Sequence, residues 1–156
     1  MAKADKLPDE LTAFNYETLD RFVGYHMKRA FNVVQADLQE TLKPLDLRML
    51  TYTALVLIAD NPDLSQTQLA TAMDIERANL VVIVDELESK ELIVRDRVPS
   101  DRRVYALNIT LKGRRRLKRA TAAVVAHEAR LFAGLNKDAH DVLVGALSKF
   151  HANHHT

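Results

Sequence analysis

The amino-acid sequence predicts a mostly α-helical fold that carries one small β-hairpin. Apolar residues recur at three- and four-residue steps along most of the chain, Gly and Pro number only four each, and two short β-branched segments flank a turn-forming stretch. The length of 156 residues is enough for one domain with a sizeable core. The sequence contains no Cys, no secretory signal and no apolar run of ~20 residues, so we expect a cytoplasmic protein without disulfides.

The first half of the chain predicts a polar arm followed by two helices. Residues 1–13 are polar, and residues 14–42 then carry an apolar stripe with helical periodicity. Pro44 follows this stripe and is expected to end the first helix. Asp46 is expected to cap a second helix, which ends near Pro62 because proline disfavours helical geometry at the residue before it.

The next segment predicts two short helices joined by a tight turn. Ser65 and Gln68 have the spacing of a capping box, in which the hydroxyl accepts from the third amide and the Gln side chain reaches back. The helix that they begin is expected to reach about Met73. After a turn at residues 74–75, a second helix is expected over residues 76–90.

A hairpin and two further helices complete the predicted order of elements. Residues 93–97 and 104–109 are the predicted strands, and residues 98–103 are the turn-forming tip. Thr110 is expected to cap a long helix that extends to about Phe132. Asn136 is expected to cap a last helix that extends to about Phe150.

The charge of the chain is strongly segregated. Residues 95–119 contain ten Lys or Arg and two acids, a net charge of +8, whereas the rest of the chain carries −7. A basic run is most often a solvated helix face. Segregation of this degree also favours a surface that binds a polyanion.

The two short helices and the hairpin together predict a winged helix-turn-helix. The second helix of such a motif lies in the major groove, and its N-terminal residues contact base edges. Leu80 and Ile83 are expected on the buried inner face of this helix, and its outer face is expected to carry Glu76, Arg77, Asn79, Val81, Val82 and Glu86. Arg77 suits guanine or phosphate, Asn79 suits adenine, and Val81 or Val82 suits a thymine methyl group. A plain αα-corner is the alternative for the two helices alone.

The hairpin is expected to act as the wing. Arg97, Arg102 and Arg103 are predicted to enter the neighbouring minor groove or to lie along phosphates. A hairpin that merely carries solvated charge is the alternative interpretation.

Four segments of this sequence resemble the MarR family of regulators. Residues 64–70, LSQTQLA, resemble the start of its helix-turn-helix, and residues 87–93, LESKELI, resemble the end of its recognition helix. Residues 101–103, DRR, followed by residues 107–113, LNITLKG, resemble its wing signature. With the order of elements included, the resemblance extends over residues 19–150.

The resemblance implies a homodimer with interlocking terminal helices, a palindromic operator, repression, and release by a small molecule. It implies one MarR-like domain over residues 1–156, with dimerisation helices at residues 14–45 and 111–153 and a DNA-binding head at residues 46–110. It also implies that Asp101 orients the wing tip through an ion pair with an arginine. The resulting candidate DNA-binding residues are Ser65, Gln66, Gln68, Arg77, Asn79, Val81, Val82, Arg97, Asp101, Arg102 and Arg103.

Four positions depart from the family pattern. Glu76 replaces a small polar residue, Val81 and Val82 replace residues that are often hydroxylated or basic, and Glu91 stands where a glycine usually ends the recognition helix. The base preference therefore does not follow from the resemblance.

Small ligands in this family often lie between the dimer helices and the DNA-binding head. Tyr and His tips with an Arg suit an aromatic or phenolic carboxylate, and the acyl thioester of such an acid suits them equally. The alternative is that the aromatic residues are core and that Arg48 pairs with a nearby acid. The candidate ligand-binding residues are Phe22, Tyr25, His26, Arg29, Arg48, Met49 and Tyr52.

The sequence offers little for metal binding, cofactors or catalysis. His151 and His155 have the i, i+4 spacing of a zinc pair, but they lie in the last six residues without a supporting Cys, so a solvated tail is favoured. A Gly-rich phosphate loop, a nucleophile elbow and an HExxH motif are all missing. We therefore expect neither enzyme nor cofactor; the remaining alternative is a winged helix for non-specific DNA coverage or protein partners.

Overall fold

The computed structural model describes residues 14–98 and 101–154, without the side chains of residues 98, 101–104 and 154. Two compact units divide the chain at residues 36 and 37. The first helix, α1 (Val23–Leu42), has residues 23–36 in the first unit and residues 37–42 in the second.

The described part of the first unit consists of a short 3₁₀ helix at Leu19–Arg21 and the start of α1. The predicted helical start at residue 14 is wrong. Phe22 has extended backbone angles, φ −108° and ψ 121°, and these angles interrupt any helix that would run through it.

The connection that follows α1 is a 3₁₀ turn at Lys43–Leu45, which leads into α2 (Met49–Asp60). The prediction that Asp46 caps α2 is wrong, because Asp46 takes a left-handed conformation with φ 53° and ends the 3₁₀ turn. The cap is formed at Arg48 instead, whose backbone amide donates to the Thr51 hydroxyl at 2.8 Å.

The helix-turn-helix consists of α3 (Gln66–Ala72) and α4 (Arg77–Ser89). The predicted capping box is confirmed. The Gln68 amide donates to Ser65 Oγ at 3.2 Å, and the Ser65 amide donates to Gln68 Oε1 at 3.0 Å. The turn is closed by the Ile75 amide, which donates to the carbonyl of Ala70 at 3.1 Å.

The hairpin belongs to a three-stranded antiparallel sheet of β1 (Leu64–Ser65), β2 (Ile93–Val98) and β3 (Asp101–Ile109), in the order β1-β3-β2. The hairpin prediction is confirmed, but the two-residue strand β1 was not predicted. Residues 101–103, expected in the turn, have their backbone within β3, and Asp101 pairs with Val98.

Two long helices, α5 (Leu111–Leu131) and α6 (Lys137–His154), follow the sheet. Both predicted caps are confirmed, because the Gly113 amide donates to Thr110 Oγ1 at 2.9 Å and the Ala139 amide donates to Asn136 Oδ1 at 2.8 Å. Among the described residues, none of the helices combines the length and the apolar character that a membrane span requires.

The core of the second unit joins α2, α3, α4, the sheet and one face of α5. Large apolar side chains of α6, in contrast, remain exposed, with Val142 at 72% and Phe150 at 56%. The fully buried large apolar side chains are Leu42, Leu55, Ile58, Leu69, Leu80, Val84, Leu87, Leu92, Ile93 and Leu107.

Four described non-glycine residues have a left-handed backbone, and all four are acidic: Asp46, Asp63, Asp74 and Glu91. Glu91 has φ 59° and follows α4, where its amide donates to the Glu88 carbonyl and the next amide, of Leu92, donates to the Leu87 carbonyl. This is the hydrogen-bond pattern that most often places glycine at the left-handed position. The family's preference for glycine there is therefore a conformational requirement, which Glu91 meets at the expense of backbone strain.

Candidate nucleic-acid interface

The recognition helix α4 separates an inner and an outer face as the sequence predicted. Leu80 and Ile83 are buried, whereas Arg77 and Asn79 are exposed on the other side. Val81 and Val82 are 39% and 63% exposed, which is unusual for apolar side chains on a helix that also packs a core. All four candidate residues on this helix are thus exposed to solvent.

The carboxylate of Glu76 lies at the N-terminal end of α4 and makes no cap hydrogen bond to that helix. A carboxylate at a helix N-terminus interacts favourably with the dipole, and it accepts a hydrogen bond from cytosine N4. It also repels phosphate. The charge of Glu76 is thus compatible with a contact to cytosine and disfavours a contact to phosphate at this end of the helix.

The polar side chains at the start of α3 already form hydrogen bonds within the protein. Besides the two capping bonds, Ser65 Oγ donates to Gln68 Oε1 at 2.8 Å, and Gln66 is half-buried. These residues preorganise the helix start. The phosphate contacts predicted for Ser65, Gln66 and Gln68 stay a prediction.

Glu86, which the sequence placed on the outer face of α4, points toward α2 instead. Its carboxylate accepts from Arg48 and from Lys90, the latter at 2.9 Å. Burial raises the pKa of Glu86, but the hydrogen bonds from Lys90 and Arg48 outweigh it and hold that pKa below its usual range. The pairing of Arg48 with a nearby acid, weighed above as the alternative to ligand binding, is thus present.

Arg95 joins the wing to the recognition helix. From β2 it pairs with Asp85 and Glu88 of α4, and its Nε lies 3.2 Å from Glu88 Oε2. Arg97, two residues further along β2, is exposed. No separate role was predicted for Arg95, because a count of basic residues does not distinguish an internal ion pair from a free charge.

The base of the wing is held by a compact junction at the start of α5. Thr110 Oγ1 donates to the Glu91 carbonyl at 2.7 Å, and the Thr110 amide donates to the Leu92 carbonyl at 3.0 Å. Gly113 is buried beneath this carbonyl, and a Cβ on it would lie 2.7 Å from Ile109 Cγ1. The Thr-x-x-Gly spacing therefore has a steric origin, since only glycine lets the helix approach so closely.

Sequence comparison identifies the class of protein to which this geometry belongs. The MarR family model matches residues 47–105. A relative from Thauera aromatica, described as a putative transcriptional regulatory protein for the hcr operon, is 35% identical over 130 residues, which are 83% of this chain and 78% of the relative. The chain belongs to the MarR family.

Solved structures of MarR regulators share this fold. The transcriptional repressor CouR bound to a 23-mer DNA duplex matches with a TM-score of 0.85 and 37% identity, over 88% of this chain and 98% of that one. CouR from Rhodococcus jostii bound to p-coumaroyl-CoA matches with a TM-score of 0.78 and 30% identity, over 86% and 94%. The predicted winged helix, the function as a DNA-binding transcription regulator, and the partners duplex DNA and a second copy of the chain are confirmed.

The effector residues predicted for this MarR regulator fall into both units. In the first unit, the Arg29 guanidinium lies 5.6 Å from the Tyr16 ring and 5.5 Å from the Tyr25 ring, and it donates to the Tyr25 hydroxyl at 3.2 Å. His26 Nε2 donates to the Asp20 carbonyl at 2.9 Å, and the Phe22 side chain is exposed. Tyr16, which contributes a ring to this cluster, was not among the predicted effector residues.

In the second unit, the predicted effector residues lie at the start of α2. Arg48 is paired with Glu86, Met49 is half-buried, and the Tyr52 hydroxyl lies 3.5 Å from Thr121 Oγ1 on α5. Arg48 is itself the α2 cap, and Met49 and Tyr52 follow it within about one turn of helix.

A polar cluster around the buried side chain of His127, between α1 and α5, was not predicted. His127 is 1% exposed, and its Nδ1 donates to Asp37 Oδ2 at 2.6 Å; Arg130 pairs with the same carboxylate. The hydrogen bond from His127 holds the pKa of Asp37 below its usual range, and Arg130 adds to this effect against partial desolvation. Since ninety residues separate Asp37 from His127 in sequence, no local spacing indicates the pair.

The two histidines with the spacing of a zinc pair are only partly described by the structure. His151 lies in α6, whereas His155 lies outside the described residues.

Proposed function

We propose that this MarR regulator is a cytoplasmic, non-catalytic repressor that binds a palindromic operator as a homodimer and leaves it when an aromatic effector binds. The outer face of α4 carries the proposal. Arg77 and Asn79, two side chains suited to base edges, are exposed there beside Val81 and Val82. The match to a repressor solved on a DNA duplex supports the same assignment.

The proposed DNA contacts divide by role. Arg77, Asn79, Val81 and Val82 face bases in the major groove, and the remaining candidates hold phosphate or the minor groove. These remaining residues are Ser65, Gln66 and Gln68 at the start of α3 and Arg97, Arg102 and Arg103 in the wing. Asp101 is proposed to orient the wing tip through an ion pair with an arginine.

The dimerisation helices are proposed to lie at residues 14–45 and 111–153, on either side of a head at residues 46–110. Exposed apolar side chains of α6 support this division, since Val142, Leu143 and Val144 are exposed in the described part of one subunit. A twofold interface would bury them and would place two recognition helices about one DNA turn apart, ~34–36 Å.

The proposed effector is an aromatic or phenolic acid or its acyl thioester. CouR from Rhodococcus jostii, which is 30% identical to this chain, has been solved with p-coumaroyl-CoA bound. Tyr25, His26 and Arg29 form a cluster that suits a ring with a polar substituent. The other proposed ligand contacts are Phe22, Arg48, Met49 and Tyr52.

The experiment is fluorescence-anisotropy binding of the full chain to a genomic library of short duplexes. We expect a palindromic site whose half-sites lie one turn apart, bound at least ~10³-fold more tightly than random duplex. Asn79→Ala is expected to relax base preference more than it lowers total affinity. Sequence-independent binding by the wild type would defeat the proposal and would favour the architectural alternative.

A further inference from the structure

The first half of α5 carries a shallow groove whose charged lining is entirely basic. The groove has a volume of about 400 Å³ and is lined by Leu111, Lys112, Arg115, Arg116 and Arg119. We call it the basic groove. No acidic residue lines it, so its potential favours an anion.

Two of the four cations hold the groove in place. Lys112 pairs with Glu91 at 2.6 Å, and Arg116 donates to the Leu45 carbonyl in the turn between α1 and α2. Arg115 and Arg119 are exposed, and neither is paired with an acid in residues 14–98 or 101–154. These two guanidinium groups, one helical turn apart, are therefore available to a ligand.

The basic groove lies away from the end of the head that reads bases. Glu91, the partner of Lys112, follows the C-terminal end of α4, and the thirteen residues of that helix span roughly 20 Å from its base-reading end. The nine residues of β3 place the start of α5 roughly 30 Å along the strand from the wing tip. This position favours a small anionic ligand over the duplex.

We propose that the basic groove binds the phosphate groups of a coenzyme A thioester, so that the effector is the thioester and not the free acid. This inference rests on the proposed function, because it names the chemical class of the proposed effector. Coenzyme A carries a diphosphate and a 3′-phosphate, and guanidinium groups bind phosphate through two parallel hydrogen bonds. A free aromatic acid carries a single carboxylate and has no phosphate groups that could bind Arg115 and Arg119.

The direct test measures binding of adenosine 3′,5′-bisphosphate to the full chain by calorimetry, without DNA. This probe has the nucleotide end of coenzyme A and no aromatic acid. The double variant Arg115→Ala with Arg119→Ala is expected to bind it at least ~100-fold more weakly, about tenfold for each charged hydrogen-bonding group removed.

The matched control is Arg114→Ala with Lys118→Ala. It removes the same charge at the same i, i+4 spacing from the same helix, but from exposed residues that do not line the groove. It is expected to change binding less than threefold. Equal losses in the two variants, or absence of binding by the wild type, would overturn the proposal.

A second measurement separates this proposal from the proposed function. Release of the operator is measured with p-coumaroyl-CoA, its 3′-dephospho analogue and free p-coumarate. Release by the full thioester at a concentration at least tenfold below that of the other two supports the groove, whereas equal potency of all three refutes it. If the groove variant loses operator affinity while the control variant keeps it, the groove binds DNA and the thioester assignment is wrong. If no operator exists at all, the proposed function fails even where bisphosphate binding succeeds.

Discussion

Replacing Gly113 with Ala is expected to disrupt the junction between the recognition helix and α5. An ideal Cβ at this position lies 2.7 Å from Ile109 Cγ1, 3.0 Å from the Leu92 carbonyl carbon, and nearer still to the Leu92 oxygen. Carbon atoms pack at about 3.5–4.0 Å, so the shortfall is close to 1 Å. The obstacles are backbone and a β-branched side chain on a paired strand, and neither moves freely.

The expected loss of stability depends on how far the first turn of α5 must move to accommodate the added methyl group. Forcing a methyl group into a packed site costs about 1–3 kcal/mol. Moving the first turn of α5 outward also weakens the bonds of Thr110 to the Gly113 amide at 2.9 Å and to the Leu92 carbonyl at 3.0 Å, each worth about 1 kcal/mol. The better helix propensity of Ala returns about 1 kcal/mol. We expect Gly113→Ala to lower the free energy of unfolding by about 2–4 kcal/mol.

Urea unfolding at one fixed protein concentration measures this change, since the stability of a dimer depends on concentration. Gly134→Ala is the control: Gly134 has no atom within 4 Å of the added methyl group and its φ is not left-handed, so the change should stay within about 0.5 kcal/mol. A Gly113→Ala variant as stable as the wild type would refute the steric reasoning.

Three further predictions concern the head and the wing. Glu91→Gly should raise the free energy of unfolding by about 0.5–1 kcal/mol in urea, because it relieves a left-handed backbone and loses only an exposed ion pair; a decrease would show that this pair matters more than the strain. Glu86→Gln should flatten the stability–pH profile below about pH 4.5. Because the pKa of Glu86 is lowered in the folded protein, its charged form stabilises the fold above the usual pKa of 4.5, and this stability is lost as pH falls through the folded pKa. Identical acid-unfolding curves for the variant and the wild type would contradict this prediction. Arg103→Ala should weaken operator binding in anisotropy and leave the dimer intact in sedimentation; unchanged affinity at physiological salt would remove the wing from the mechanism.

The features that were predicted correctly from sequence depend on residues close together in the chain. The caps at Ser65, Thr110 and Asn136 each involve a side chain and an amide three residues apart. The buried positions of α4 follow from helical periodicity alone. Local geometry was sufficient in these cases, and the fold class followed from it.

Apart from the helical start at residue 14, which the extended backbone of Phe22 interrupts locally, the features that were missed or predicted wrongly depend on distant partners. Asp46 has the composition of a helix cap, but its backbone closes the preceding turn and its carboxylate pairs with Lys90, forty-four residues away. Glu86 has the helical position of an outer-face residue, but its carboxylate accepts a hydrogen bond from Arg48 at the start of α2. The strand β1 has only two residues and exists because β3 offers it an edge. Periodicity carries no information on such pairings.

The ion pair of Arg95 with the recognition helix bears on how DNA affinity varies with salt. Of the ten basic residues between positions 95 and 119, Arg95, Lys112 and Arg116 are engaged within the protein itself. Each phosphate that a protein neutralises releases condensed counterions, and the logarithm of affinity falls with the logarithm of salt by about 0.9 per phosphate. The number of ions released from the operator should therefore be lower than a count of all ten basic residues suggests, and operator affinity should fall less steeply as ionic strength rises.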